Sequence, residues 1–568
     1  MHLSLLASPL LLLTHIPAEG YVFQCFKEDV FMQYASVLLF NAVVLTLDGS
    51  DAVASALALD GDRILAVGDR DGLAPLIGPD TECRDMGGAA VLPGFYDAHG
   101  HILMAAQVRG RVNLNSPPLG ACRTLGDILA AIRARAAETP DGEWVLACGL
   151  DDTLLEEKRF PSRWELDEAA PHNPVFAQHI SGHLCVLNSA ALKLAGIGRH
   201  TPDPAGGVIR RDADGEPDGV LEESPVYETI MPLLPKQTRE QRIGDLAAAT
   251  RDYAARGITT AVDAALFSYD DAEILRAAQE QGRLAARVHV NPFASLDPDD
   301  PRLAFDGKDV TLGGAKLLAD GSLQGYTGYL AKPYHTPYQG DPEWRGYPTH
   351  SRENLFALIE AAHGRGQFLI HTNGDAATDD ALDALEAAQA KHPRKDCRHI
   401  LIHAQTIRED QLDRLEAAGY TPSFFTAHVY YWGDRHRDLF LGPERAARMD
   451  PMRSALDRGL VVTAHCDSPI VPADPLLSIW ACVNRLTSSG QVLGADQRIS
   501  VREALRAHTF NPAWQNFQDK DKGSIEPGKL ADLVILDANP LETDPAALRG
   551  IGVLETIVGG KTVYSARA

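Results

Sequence analysis

Two histidines, His99 and His101, stand two residues apart at the end of the apolar run Val91-Leu-Pro-Gly-Phe-Tyr-Asp-Ala. In an extended chain, residues i and i+2 point to the same side, so both imidazoles can reach one point in space. Imidazole is the commonest protein ligand for divalent transition metals. A lone His-x-His pair also has structural explanations, so the prediction of a metal site depends on further ligands elsewhere in the chain.

Further side chains that can bind a metal follow at the ends of later apolar runs. In chain order they are Lys316, His371, His403 and Asp467. Each alone has an ordinary alternative: a packed histidine, a lysine whose stem lies along apolar surface, or an aspartate that caps a helix. Their regular order favours one metal-binding active site over four unrelated explanations.

These side chains must be positioned by the apolar runs that precede them. Helical segments separate many of these runs, and eight strands alternating with helices are typical of the TIM-type (β/α)8 barrel, an α/β fold. Active sites of this barrel lie at the C-terminal ends of the strands, so we expect the side chains to converge there. The candidate strands are the run before His99 and segments 258–263, 286–290, 313–318, 368–371, 399–403, 420–425 and 460–467.

The two ends of the chain predict a second, smaller unit. Segments 35–90 and 520–568 are both rich in strand and turn patterns, and neither has enough strands to be stable alone. We therefore expect one composite β-sandwich built from both termini, with the barrel over 91–519. About 150 residues separate His101 from the next strand, far more than a crossover needs, so an inserted α/β lobe is predicted near 104–240.

Residues 1–34 are predicted to be an N-terminal extension. The apolar run at 10–13 is too short to span a bilayer, and no Lys or Arg precedes it as in a secretory signal. We expect residues 1–31 to be a mis-assigned start or a poorly ordered extension.

Composition limits the partners of the protein. The net charge of −24 and pI near 5.2 argue against nucleic acid and anionic membrane surfaces as partners. The eight cysteines form no C-x-x-C pair, which indicates neither a disulfide framework nor a zinc–thiolate site and favours a cytoplasmic location. The oligomeric state, a homodimer included, is left open.

The order Pro-Gly-Phe-x-Asp-x-His-x-His, strand-end Lys, strand-end His, strand-end His and final Asp resembles the metal-dependent amidohydrolase superfamily. Within it, the chain is similar to the branch that includes N-substituted formamide deformylases. The stretches Lys316-Leu-Leu-Ala-Asp-Gly-Ser and Asp467-Ser-Pro-Ile-Val-Pro-Ala-Asp-Pro support the branch, and the likeness covers about 35–568.

The resemblance implies a ligand set. His99 and His101 would bind the more buried metal with Asp467, and His371 and His403 would bind a second. Lys316 would bridge the two as a carbamate. Zinc is the expected metal, one or two ions per chain. His465 stands two residues before Asp467, where a small residue is expected, and it could assist or compete with the aspartate.

The resemblance also implies a reaction: metal-activated hydroxide attacks a carbonyl, and Asp467 transfers the proton to the leaving nitrogen. It places His183 and Asn188 near the mouth of the substrate pocket, although Asn188 also fits the N-cap of a helix. Asp320, close to Lys316, is a further candidate for substrate binding or for support of the ligands.

The resemblance predicts hydrolysis of a carbon–nitrogen bond in a small-molecule substrate, a non-peptide amide such as one carrying an N-formyl or N-acyl group. A mononuclear aminohydrolase (deaminase) and an ester or lactone hydrolase remain alternatives on the same barrel. A catalytically dead scaffold is a third. Lys316 favours the amide-type site with two metals, because the mononuclear deaminases of the superfamily use no bridging lysine there.

Overall fold

The computed structural model describes residues 33–180, 182, 184–204, 207–305 and 307–566. The predicted N-terminal extension and His183 lie outside the described residues. The chain has an α/β fold, as predicted, with strands gathered into four sheets. Within the described ranges, no helix is both long and apolar enough to cross a membrane.

The strands, in chain order, are β1 (Val37–Leu45), β2 (Val53–Asp60), β3 (Arg63–Gly68), β4 (Glu82–Asp85), β5 (Ala90–Pro93), β6 (Phe95–Asp97), β7 (Val112–Asn113), β8 (Val145–Leu150), β9 (Val175–His179), β10 (Leu184–Leu187), β11 (Gly207–Arg211), β12 (Pro217–Glu223), β13 (Ile258–Leu266), β14 (Arg287–Pro292), β15 (Val310–Leu312), β16 (Ala315–Leu318), β17 (Phe368–Thr372), β18 (Ile400–His403), β19 (Thr421–Phe424), β20 (Thr463–Ala464), β21 (Leu533–Leu536), β22 (Val553–Val558) and β23 (Lys561–Ser565).

The α-helices are α1 (Arg70–Leu73), α2 (Ile102–Val108), α3 (Leu125–Glu138), α4 (Arg163–Ala169), α5 (Ser189–Leu194), α6 (Arg239–Ala254), α7 (Tyr269–Glu280), α8 (Arg352–Arg365), α9 (Asp375–Lys391), α10 (Glu409–Ala418), α11 (Ala427–Arg435), α12 (Pro443–Ala447), α13 (Met452–Asp457), α14 (Pro475–Asn484), α15 (Val501–Ala507) and α16 (Phe510–Gln515). Short 3₁₀ and π turns, such as the π turn His436–Phe440 after α11, connect several of them.

Strands from both ends of the chain pair in one sheet, called the terminal sheet. Its order is β23-β22-β21-β5-β1-β2-β3, with β4 also beside β1. The C-terminal strand β21 pairs antiparallel with β5, so that Leu533 lies opposite Pro93. The two ends of the chain are thus joined as expected; the two-layer sandwich stays a prediction.

A separate mixed sheet forms between β6 and β13 in the chain. Its order is β11-β12-β10-β9-β8-β7, and α3 and α4 pack on it around buried residues such as Ile128 and Leu166. The helix α3 begins at a capping box, in which the side chains of Thr124 and Asp127 each accept from the backbone N–H of the other. This sheet lies within the lobe predicted at 104–240.

The strands β6 and β13–β20, called the parallel core, form two parallel sheets with the orders β15-β14-β13-β6 and β16-β17-β18-β19-β20. All nine residues of β13 are buried, as expected for a parallel strand covered on both faces. Gly94, just before β6, has no room for a side chain: a Cβ there would lie 2.1 Å from Cγ2 of Thr259 on β13.

Hydrogen bonds connect the two parallel sheets at both of their outer sides. On one side, the N–H of Ala294 donates to the carbonyl of Lys316 (3.0 Å). On the other, the N–H of Asp467 donates to the carbonyl of His99 (3.1 Å), and the N–H of His101 donates to that of Ser468 (2.7 Å). The strand ladder itself is divided between the two sheets, so a closed (β/α)8 barrel stays a prediction.

Individual strands differ from their predicted extents. Of segment 313–318, only Ala315–Leu318 form a strand, β16, while Gly313 and Gly314 lie between β15 and β16. Only Thr463 and Ala464 of the predicted 460–467 strand pair with a neighbour. The shortening matters for function, because it leaves His465 and Asp467 on irregular backbone at the carboxyl end of the strand.

Candidate metal centre

Five of the predicted metal-binding residues stand at or beyond the carboxyl ends of strands in the parallel core, and Lys316 lies within β16. His99 and His101 follow β6, His371 and His403 lie at the ends of β17 and β18, and Asp467 follows β20. Parallel strands present their carboxyl ends at one edge of the sheet, which is why residues hundreds of positions apart come together.

The distances between His99, His101 and Asp467 fit a single metal ion. Oδ1 of Asp467 lies 3.5 Å from Nε2 of His99 and 3.4 Å from Nε2 of His101. Two ligand atoms of one tetrahedral zinc ion, each about 2.1 Å from it, lie about 3.4 Å apart. The three side chains therefore have the spacing of a ligand set, and their ligand atoms all lie within 4.8 Å of one another.

An unpaired polar atom at this point also fits a cation. Oδ1 of Asp467 is buried without a hydrogen-bond partner among the described residues. A buried carboxylate oxygen without a partner costs several kcal/mol unless a ligand supplies the missing interaction. A divalent cation at this point would supply it.

His371 and His403 form a second pair of imidazoles. Their ring centroids lie 4.6 Å apart at an interplanar angle of 78°. Two imidazoles that share one tetrahedral ion have centroids about 5 Å apart. Nε2 of His371 lies 3.2 Å from the carbonyl oxygen of Gly321, so Nδ1 is the nitrogen left for a metal. In metal sites, the ring nitrogen of a ligand histidine that does not bind the metal commonly contacts a carbonyl in this way.

Lys316 on β16 is buried, with 2% of its surface exposed. Burial lowers the pKa of its amine to about 7, and the carboxylate of Asp467 opposes the shift. The positive charge of Lys316 in turn contributes, after burial, to lowering the pKa values of His99 and His371. This mutual influence places Lys316 near both groups.

The protonation states suit metal binding. Burial holds the pKa of His99 and of His403 well below the usual range, so both imidazoles are neutral, which is the form that binds metals. Burial alone would raise the pKa of Asp467. The contact and charge of His101, with the charges of His465 and Lys316, outweigh burial and lower that pKa to about 2.

The backbone is strained at two of the ligand positions. His403 and Asp467 have φ angles of 67° and 55°, in the left-handed region that few residues other than glycine adopt. Ala404, directly after His403, has φ 45°. Such strain clusters at active sites, where the surrounding structure holds side chains in position.

Two buried aspartates support the loops that carry the ligands. Asp97 accepts a hydrogen bond from the N–H of Cys466 (3.0 Å), the residue before Asp467. Asp263 on β13 accepts from the N–H of Leu103 (2.8 Å), two residues after His101. Burial raises the pKa of each carboxyl to about 7. The sequence motif contained Asp97, but gave no indication of this contact.

Asp320 likewise supports a loop. Its carboxylate accepts from the N–H groups of Asn373 (2.9 Å), Gly374 (2.7 Å) and Tyr329 (2.9 Å), and Oδ1 lies 3.8 Å from Nε2 of His371. Asp320 is buried, and burial raises its pKa to about 7. Its contacts are those of a residue that fixes the segment after His371; binding of substrate by Asp320 stays a prediction.

Of the predicted pocket residues, His183 lies outside the described residues and Asn188 is a helix N-cap. Oδ1 of Asn188 accepts from the N–H of Ala191 (3.1 Å) and of Val175 (3.0 Å), while Nδ2 donates to the carbonyl of Asn173 (2.9 Å). The side chain is 1% exposed. Of the two alternatives considered for Asn188, the structure has the N-cap.

His465 lies inside the cluster, as its position before Asp467 suggested. Its ring centroid is 5.0 Å from that of His99 and 5.1 Å from that of His403. Both ring nitrogens are buried without a hydrogen-bond partner in the described part of the chain. His465 therefore lies between the two groups of candidate ligands.

A second polar group, which was not predicted from the sequence, adjoins His403. It consists of Gln405, His428, His436 and Asp450, all buried. The ring of His428 lies 6.1 Å from that of His403. One signal was available, because His428 follows the apolar segment 420–425 by three residues and so stands just past a strand end.

Comparison with known proteins places these features in context. The model of the amidohydrolase family matches residues 82–564. N-substituted formamide deformylase from Arthrobacter pascens is 31% identical over 94% of this chain and 99% of its own length.

Solved structures share the fold. An uncharacterized metal-dependent hydrolase from Pyrococcus horikoshii superposes with a TM-score of 0.73 at 24% identity, over 90% of this chain and 99% of its own. Another from Pyrococcus furiosus has a TM-score of 0.70 at 25% identity, over 89% and 100%.

Proposed function

This chain belongs to the amidohydrolase family and is a hydrolase of carbon–nitrogen bonds, and from that premise we propose that it cleaves non-peptide amides carrying an N-formyl or N-acyl group. The observation that carries the proposal is the position of Asp467 Oδ1, 3.5 Å and 3.4 Å from the Nε2 atoms of His99 and His101. The similarity to a relative named a deformylase, over nearly all of that relative's length, supports the choice of amide.

The proposed centre contains two zinc ions. His99, His101 and Asp467 would hold one, His371 and His403 the other, and Lys316 would bridge them as a carbamate. A protonated lysine repels cations, whereas its carbamate offers two oxygens and a negative charge. The burial of Lys316 and its electrostatic influence on His99 and His371, one from each group of histidines, support this role.

When bound, the metal polarises the substrate carbonyl and lowers the pKa of water at the site. Asp467 then has two tasks, to bind the metal and to transfer a proton. Asp467 has two carboxylate oxygens, so one can bind a metal while the other accepts a proton from the attacking water and returns it to the leaving nitrogen. The leaving nitrogen needs this proton because an amide anion is a poor leaving group.

The closed barrel belongs to the same proposal. The hydrogen bonds at Lys316 and at His99 connect the two parallel sheets on both sides, which supports a closed arrangement of the parallel core. Closure would fix the separation between the ligands of β6 and those after β20. Precise ligand placement depends on such rigid elements.

The experiment that tests this proposal uses protein purified without chelator in the presence of bicarbonate. It measures the number of zinc ions per chain and the release of formate from a panel of N-substituted formamides. We expect close to two zinc ions per chain and release of formate. Release of ammonia from aminated ring substrates, with about one zinc ion, would instead establish a deaminase. A chain that takes up no zinc and releases no product would be a dead scaffold.

The bridge is tested with ¹³C-labelled bicarbonate. We expect a carbamate signal by carbon NMR that disappears in Lys316→Ala. The matched control is Lys522→Met, since Lys522 is also a buried lysine with a pKa lowered by burial, to about 8, but contacts Thr260 instead of the candidate ligands. A signal that survives Lys316→Ala would overturn the bridge and leave the amidase assignment standing.

A further inference from the structure

His428 lies at the catalytic edge of the parallel core, although no motif pointed to it. It stands in the first turn of α11, four residues after the end of β19. Its ring centroid is 4.1 Å from that of Phe425 and 6.1 Å from that of His403. His428 is 5% exposed. It is therefore part of the wall beside the candidate ligands.

Asp450 faces the far edge of this imidazole. Its Oδ1 lies 3.8 Å from Nδ1 of His428. Neither carboxylate oxygen of Asp450 has a hydrogen-bond partner among the described residues, and the same is true of Nδ1 of His428. The separation is longer than a hydrogen bond, but catalytic hydrogen bonds are often long before substrate binds. The two groups therefore face each other with unpaired polar atoms.

Burial raises the pKa of the Asp450 carboxyl, and the contact with His428 and the charge of the buried Arg485 oppose this shift. Arg485 is 1% exposed and donates to the backbone carbonyls of Asp450 (3.1 Å) and Met449 (2.8 Å). Asp450 itself adopts φ 48°, a left-handed conformation that the surrounding structure must maintain. The carboxylate is thus held in place by its own backbone as well as by packing.

His436 packs behind His428 and limits the movement of its ring. The two ring centroids are 5.8 Å apart, and Nε2 of His436 lies 3.1 Å from Nε2 of Gln405. Gln405 is two residues after His403, so this contact connects the wall to a candidate ligand strand. Trp432 packs against His428 from a further side, with centroids 5.6 Å apart.

The chemistry of the pair determines what His428 can bind. When the carboxylate of Asp450 is ionised it only accepts hydrogen bonds, and Nδ1 of His428 then carries the proton that faces it. In a neutral imidazole the other nitrogen, Nε2, is then an acceptor. A ligand group that contacts Nε2 must therefore be a donor, and the N–H of a secondary amide is such a group.

We propose that Nε2 of His428, with the ring oriented by Asp450, accepts a hydrogen bond from the N–H of the substrate amide. The inference rests on the proposed function and adds a specificity rule to it: secondary amides bind better than their N-methylated counterparts. His428 is then a catalytic residue, because it touches the substrate, and Asp450 is a positioning residue.

The test measures binding, so it does not depend on knowing the substrate. Acetohydroxamic acid and N-methylacetohydroxamic acid both chelate zinc, but only the first has an N–H. We expect zinc-loaded wild-type protein to bind the first about tenfold to a hundredfold more tightly by calorimetry, the cost of leaving one buried polar group unpaired. His428→Phe, which keeps an aromatic ring against Phe425 and Trp432, should lose this preference while keeping its zinc.

Two further variants make the outcome decisive. His428→Ala should also lose the preference, and His392→Ala, which removes an exposed histidine just after α9, should keep it. If both His428 variants keep the preference, the assignment is wrong. If they lose zinc, His428 is a metal ligand and the assignment is equally wrong. A wild-type protein that binds no zinc contradicts the proposed function itself, and the proposal for His428 with it.

Discussion

Arg287 on β14 donates two hydrogen bonds to the carboxylate of Asp532, from Nε to Oδ2 (2.8 Å) and from Nη2 to Oδ1 (3.1 Å). The two residues are 245 positions apart, and both side chains are buried. This pair joins the parallel core to the terminal sheet, because Asp532 directly precedes β21. It is a buried, doubly hydrogen-bonded ion pair between these two parts of the fold.

Replacement of Asp532 should therefore destabilise the whole protein. Asp532→Ala leaves the Arg287 guanidinium buried without its partner, which costs about 3–5 kcal/mol. The matched control is Asp309→Ala, since Asp309 contacts the same guanidinium at 2.7 Å but is 46% exposed. That change should cost less than about 1 kcal/mol. Urea unfolding measures both, and equal losses would contradict the distinction.

Gly374 provides a steric prediction. A Cβ at this position would lie 1.8 Å from the carbonyl oxygen of Tyr329, which is backbone and cannot move aside. Gly374→Ala should cost about 1–3 kcal/mol and loosen the contacts of Asp320 next to His371. Gly364→Ala is the control: nothing lies within 4 Å of its Cβ, and within α8 it should stabilise by about 0.5–1 kcal/mol. Thermal unfolding would show shifts of opposite sign.

Stability should fall as the pH is lowered, because several histidines are buried in neutral form. Burial lowers the pKa values of His289, His399 and His508 to about 3 in the folded protein, against about 6.5 when unfolded. The unfolded chain thus takes up these protons first as pH falls below about 6.5. Each histidine contributes stability that is complete above that pH and declines by about 2 kcal/mol at pH 5.

One variant isolates this effect from the rest of the chain. His289→Asn keeps an acceptor for Thr311 and Gln518, which contact Nδ1 of His289 at 2.8 and 3.2 Å. We expect the loss of stability between pH 7 and pH 5, measured by urea unfolding, to be about 2 kcal/mol smaller in the variant. An unchanged difference would show that His289 is not the group that titrates.

Removal of single ligands should reduce the zinc content in a defined way. His99→Ala and Asp467→Ala should each lose the ion nearest β6 and weaken zinc binding by more than the 10- to 100-fold typical of residues that only support a ligand. His392→Ala should retain full zinc. Metal analysis after dialysis against a chelator, followed by zinc addition, gives the result; full zinc in Asp467→Ala would remove that residue from the site.

The α/β class and the positions of the candidate ligands could be predicted because each depends on local pattern. His99, His371 and His403 end apolar runs, and parallel strands bring such ends together regardless of the intervening length. The pairing of the two chain ends was likewise expected, since neither had enough strands alone. These features follow from the apolar pattern of the strands and from the need of each strand edge to pair its backbone N–H and C=O groups.

Other features depend on contacts between distant residues and could not be read locally. The role of Asp263 depends on the N–H of Leu103, 160 positions away. The pairing of His428 with Asp450 requires α11 and the segment before α13 to pack together. The N-cap at Asn188 had a local signal, but deciding between a cap and a ligand contact required the positions of Val175 and Asn173.

The position of β5 in the terminal sheet has a consequence for how the protein is made. β5 leads directly into β6 and the first two candidate ligands, yet its neighbour β21 follows the whole parallel core in the chain and is therefore synthesised long after β5. Until β21 has been synthesised, the edge of β5 that pairs with it has no partner strand. A chain that stops before β21 therefore carries an exposed strand edge that can pair with other chains.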